Sequence, residues 1–131
     1  MSEKTFDEWL SALNLEFWGT AQHKIMPAQF LERWRNGEDV VLLDTRSPEE
    51  SNYLTLPFAL HIPVNDLPQR WQEIPSNKLV AVFCSSGVRS AIAYAFLQLK
   101  GLDNVRLLDA RYEELAAELK PGKVRKLSQS R

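Results

Sequence analysis

Cysteine is almost missing from this chain: Cys84 is the only one among 131 residues. A single thiol forms no intrachain disulfide, and a metal site would have to draw on other ligands. Those are scarce as well. His23 and His61 are the only histidines, with neither helical ligand spacing nor a neighbouring carboxylate pattern, so no metal is expected. No cofactor is expected either. Long apolar runs are absent; none approaches the roughly 20 residues needed to cross a bilayer, so no membrane partner is expected. The opening MSEKTFDE lacks the basic segment and apolar stretch of a secretory signal. Repeats and low-complexity segments are missing too. These absences together point to a reducing, cytoplasmic setting.

What is there reads as one soluble domain. Apolar residues make up 44% and charged residues 25%, an ordinary globular balance, and the length is ample for one core. One stretch, KLVAVFCSSGVRSAIAYAFLQLKG at 78–101, organises the rest. Leu79 to Phe83 is short, apolar and rich in valine, which predicts a strand buried on both faces inside a parallel sheet. Ser90 to Lys100 predicts a buried helix closed by Gly101. The loop between them, Cys84, Ser85, Ser86, Gly87, Val88 and Arg89, occupies the position where α/β proteins bind ligands. Small residues and Gly87 allow successive N–H groups to face one concavity, at a helix N-terminus. Arg89 adds a positive charge. All of these favour an anion, so Cys84 is expected to ionise readily and act as a nucleophile. The same cradle suits a persulfide, one sulfur longer.

CSSGVRS, Cys84 to Ser90, resembles the active-site loop of the rhodanese-like domains, with their Cys-x-x-Gly-x-Arg-Ser/Thr pattern. LLDTRSPEE at Leu42–Glu50 is similar to the family's Asp-x-Arg segment, about forty residues upstream. The resemblance implies a small parallel sheet with helices on both faces. It also implies a sulfurtransferase whose catalytic residue is Cys84, with Ser85, Ser86, Gly87, Val88, Arg89 and Ser90 binding substrate. The partners implied are a small sulfur donor, thiosulfate or polysulfide, and a thiol or cyanide acceptor. A sulfur-carrier protein is a further candidate. Asp44 and Arg46, at the end of a strand over Val40 to Leu43, read foremost as an ion pair bracing the sheet edge, with a supporting effect on the field around Cys84.

Two other function classes share parts of this loop. Phosphatases and arsenate reductases of related folds carry five residues between cysteine and arginine; here Ser85 to Val88 are four, and a resolving thiol is missing. A binding module without turnover is the other alternative, and retention of Cys84 and Arg89 argues against it. Within the sulfurtransferase reading, Arg89 is the loop's only cation, so thiosulfate is expected to be a poor donor and sulfur relay between proteins the working role. Arg111 and Arg46 are the residues that could supply further charge.

The remaining elements follow in chain order. Residues 1–22 form an extension, opened by a capping box at Thr5 and carrying Phe6, Trp9, Leu10, Leu13 and Phe17 as one amphipathic helix. That helix either folds back on the domain or offers a partner face. Residues 23–122 form the rhodanese-like domain and 123–131 a basic tail. His23 to Ile25 predicts a short strand, Pro27 to Arg35 a helix, and Ser47 the cap of another. At 54–63, LTLPFALHIP departs from the family's Gly-His-Ile-Pro-Gly-Ala, and Phe58 in place of glycine requires a differently run turn. His61 reads as a packed, hydrogen-bonded residue. Asp66 to Gln72 predicts a short helix, Val105 to Leu108 the last strand, and Tyr112 to Leu119 a helix stopped by Pro121 and Gly122. Residues 1–119 hold 11 basic and 17 acidic side chains, about −6. Nucleic acid is not expected on so acidic a body. The basic residues Lys120, Lys123, Arg125, Lys126 and Arg131 follow, as a solvated or frayed tail.

Overall fold

The computed structural model describes the backbone of residues 3–130 and the side chains of residues 3–125. Five parallel strands form one sheet: β1 (Lys24–Ile25), β2 (Val41–Asp44), β3 (Leu60–His61), β4 (Val80–Phe83) and β5 (Val105–Leu108). Their order is β1-β5-β4-β2-β3, which puts β4 at the centre. Its register with β2 runs from Val41 against Val80 to Asp44 against Phe83, so both strands end at the same edge.

Alternation along the strands divides the core in two. Val80 and Val82 of β4, with Leu43 of β2, pack on one face against Leu67 of α5 (Leu67–Arg70) and Ala93, Tyr94 and Leu97 of α6 (Val88–Leu99). Ala81, Phe83 and Leu42 face the other side, against Phe30 and Leu31 of α3 (Pro27–Arg35) and Leu115 of α7 (Tyr112–Ala117). A strand buried on both faces has no room for polar side chains, which is why β4 reads as a continuous apolar run. Each fully buried valine or leucine in these layers contributes about 1.5–3 kcal/mol. No helix among the described residues is long and apolar enough to cross a membrane.

The N-terminal extension forms two short helices in place of one. α1 (Phe6–Ser11) has the expected Thr5–Glu8 capping box, but the chain breaks after Ala12 and Asn14 caps α2 (Leu15–Gly19). The asparagine side chain accepts from the Phe17 N–H, offering the backbone an alternative to continued helix. The segment folds back on the domain. Trp9 stacks on Tyr94 at 6.1 Å, and the Lys4 N–H donates to the Leu99 carbonyl at 2.9 Å. Phe17 and Trp18 close around His23, while Phe6, Leu10 and Leu15 remain exposed.

Two further differences concern prolines and glycines. α7 ends at Ala117, ahead of Pro121 as expected, but Pro121 also opens a further helix, α8 (Pro121–Ser130), because proline's fixed φ suits a first turn. The expected tail is therefore helical, and Lys123 pairs with Glu118 at 2.9 Å; the Lys126 side chain and Arg131 lie outside the described residues. The turn at 54–59 runs without a left-handed residue: Ala21 is the sole non-glycine with positive φ among the described residues. Phe58 packs on Trp34 with ring centroids 5.1 Å apart. Between α4 (Pro48–Tyr53) and β4, α5 is flanked by 3-10 turns at Val64–Asp66 and Trp71–Glu73, which is shorter than the helix expected there.

Candidate active site

β4 ends at Phe83 and α6 begins at Val88, so Cys84 to Gly87 form the whole turn and Arg89 and Ser90 belong to the first helical turn. Gly87 caps α6 with φ +97°. A Cβ there would touch nothing, so the demand for glycine is purely conformational. This left-handed residue folds the loop over Cys84, which is only 1% exposed. The Gly87 N–H donates to Cys84 Sγ at 3.0 Å and the Ser90 N–H at 3.4 Å. Ser90 Oγ lies 3.5 Å from the sulfur and donates to the Gly87 carbonyl at 3.1 Å.

Burial pushes the Cys84 thiol up. Its hydrogen bond with the Ser90 hydroxyl, together with those from the Ser90, Ser86 and Gly87 N–H groups, outweighs this and holds the thiol below its ordinary value. Arg89 plays a smaller part than its charge implies. Its guanidinium forms a fork with both carboxylate oxygens of Glu50, Nη2 to Oε2 at 2.9 Å, and Nη2 also donates to Ser85 Oγ at 3.0 Å. The Arg89 pKa is raised first by Glu50, and the charge on Cys84 is a lesser cause. Glu50 in turn is held at about 2 by the Arg89 hydrogen bond, against the penalty of burial and with help from Ser47.

Asp44 and Arg46 meet below this edge. Arg46 Nε and Nη2 donate to the two Asp44 oxygens at 2.9 and 2.8 Å, and Nη1 donates to Tyr112 Oη at 3.1 Å. The guanidinium also lies over the Phe83 and Tyr112 rings. Both residues are buried to within 1%. His61 Nε2–H donates to the Arg46 carbonyl at 2.7 Å, which makes it the packed histidine expected of β3.

A cavity of about 330 Å³ adjoins the loop, lined by Ser86, Gly87 and Ser90 on one side and by the end of β5 and the start of α7 on the other. Arg111 lines it together with Lys24, Asp109, Glu114 and His23. Lys24 pairs with Asp109 at 3.1 Å. Burial lowers the His23 pKa, keeping that ring neutral. Val88 and Ile92, one turn apart at the loop's rim, are exposed. The structure thus brings Ser86, Gly87 and Ser90 to the Cys84 sulfur, ties Ser85 to Arg89 beside them, and keeps Asp44 and Arg46 apart as a sealed pair. Glu50, Lys24 and His23 were not singled out from sequence. Glu50 reads there only as the last residue of a capping box.

The rhodanese-like domain model matches residues 27–118, most of the chain. The chain belongs to the rhodanese-like family. Among curated relatives, a sulfurtransferase of Allochromatium vinosum is 39% identical over 74 residues, 56% of this chain and 69% of that protein. A tRNA uridine(34) hydroxylase of Xanthomonas euvesicatoria pv. vesicatoria is 34% identical over 109 residues, but this rhodanese-like chain spans only 44% of its length. Among solved structures, a rhodanese-related protein from Thermoplasma volcanium superposes with TM-score 0.64 at 28% identity, covering 76% of this chain and 95% of that one. The family and the relative named a sulfurtransferase support sulfurtransferase chemistry, and the Thermoplasma volcanium protein shares this fold.

Proposed function

We propose that Cys84 carries sulfane sulfur as a persulfide, from a polysulfide or a protein persulfide to a thiol acceptor, in reducing cytoplasmic surroundings. The observation that supports this most is the set of N–H groups and the Ser90 hydroxyl converging on Cys84 Sγ. The Cys84 thiolate attacks the outer sulfur of the donor; the donor's S–S bond breaks and its inner sulfur leaves with the electron pair. The new Cys84 persulfide places its terminal sulfur about 2 Å beyond Sγ. An acceptor thiolate then attacks that terminal sulfur, the Cys84 S–S bond breaks, and the thiolate is restored. No oxidant or base is consumed beyond deprotonation of the acceptor thiol.

Charge balance around the loop supports a donor without an oxyanion. Arg89 pairs with Glu50, Arg46 with Asp44 and Lys24 with Asp109, and the cavity wall holds Glu114 as well as Arg111. A thiosulfate dianion finds little uncompensated positive charge there. Intact mass after incubation with polysulfide tests the reading. Wild type should gain about one sulfur atom, removable by dithiothreitol, and Cys84→Ser should gain none. An equal gain in both, or none in wild type, overturns it.

A further inference from the structure

We propose that Glu50 sets the donor preference of this site, its carboxylate occupying Arg89 and disfavouring donors of high negative charge. The proposal rests on the reading of Cys84 as the sulfur carrier. It begins with a fork: both Glu50 oxygens face Arg89, the cation of the loop, and each side chain is 31% exposed. The pair is therefore open to an incoming donor, unlike the sealed Asp44–Arg46 pair. The carboxylate is also anchored from behind. Ser47 N–H and Ser47 Oγ–H donate to Glu50 Oε1 at 3.1 and 2.9 Å, and the Glu50 N–H donates back to Ser47 Oγ at 3.3 Å. Swinging away from Arg89 costs Glu50 its place in the capping box as well.

An oxyanion approaching Arg89 thus meets a fixed negative charge. It either displaces Glu50 from two sets of partners or lies beside it unscreened. A persulfide or polysulfide end brings a small sulfur and no oxyanion to the loop, and needs neither. Arg89 then serves to hold the turn through Ser85 Oγ, while the amides carry the sulfur. Glu50 is ionised throughout the working pH range, so the discrimination does not depend on pH there.

The test compares kcat/KM for three donors in wild type, Glu50→Gln and Glu50→Asp: thiosulfate, a dianion; an aryl thiosulfonate, a monoanion; and an alkyl hydropersulfide, whose reacting end carries at most one charge and no oxyanion. Glutamine keeps the capping oxygen and removes the charge; aspartate keeps the charge. Glu50→Gln should raise kcat/KM for thiosulfate about tenfold and for the thiosulfonate about threefold relative to the hydropersulfide. Those gains should shrink as salt is added, and Glu50→Asp should show none of them. A uniform change across the three donors, or the same gain in Glu50→Asp, overturns the role of Glu50 while leaving Cys84 loading intact. Absence of sulfur on wild-type Cys84 with every donor removes the underlying reading as well.

Discussion

Two arginine–carboxylate forks stand at the same edge of this sheet, and they do different things. Asp44 and Arg46 are at most 1% exposed and two residues apart in the chain, and the Arg46 guanidinium lies against Tyr112 and Phe83. Glu50 and Arg89 come from segments 39 residues apart and are each 31% exposed. Chemistry is the same in both; surroundings decide the role. A sealed pair cannot lose one partner without stranding a charge, so it braces the scaffold. A half-open pair can be replaced by water, so its worth to stability is small and its charge is felt by whatever enters the loop.

The largest effect should come from breaking the sealed pair. Asp44→Ala leaves Arg46 buried without its carboxylate and should cost about 3–5 kcal/mol in denaturant unfolding. Arg89→Ala should cost no more than about 1 kcal/mol in the same assay. Equal losses would erase the distinction between the two forks. Next in size is the turn between them. Gly87→Ala meets no steric obstacle but forces a left-handed alanine, at about 1–2 kcal/mol, and misaims the N–H that lies 3.0 Å from Cys84 Sγ. Sulfur loading should slow in that variant while the fold persists; unchanged loading would take Gly87 out of the cradle.

The two forks also differ in how far the sequence reveals them. Asp44 and Arg46 are neighbours on a strand end, and β4, the Cys84 loop and α6 are one contiguous stretch, so local pattern is enough to read them. Glu50 is invisible in this respect because its capping box with Ser47 already accounts for it. Its second partner, Arg89, is brought in only by the β2–β4 register. A usable signal existed nonetheless: a carboxylate in the first turn of the helix that follows the strand next to the cysteine strand. Lys24 and His23 were hidden for the same reason, since pairing of β1 with β5 is what brings them to the cavity. The break at Asn14 and the helix opened at Pro121 are legible as cap chemistry, but a continuous stripe competes with the first, and the true stop of α7 ahead of Pro121 hides the second.

The smallest shift is also the most direct test, because it asks which groups hold the sulfur anion. Cys84 ionises below its ordinary value, so the thiolate stabilises the fold above the unfolded thiol's pKa and that contribution is lost as pH falls through the folded one. The measurement is the rate of Cys84 alkylation against pH in wild type, Ser90→Ala and Arg89→Ala. Wild type should titrate below the free-thiol value of about 8.5, Ser90→Ala should move clearly upward, and Arg89→Ala should move less. A wild-type midpoint at or above the free value, or a larger shift in Arg89→Ala than in Ser90→Ala, would contradict an amide and hydroxyl cradle as the source of the thiolate.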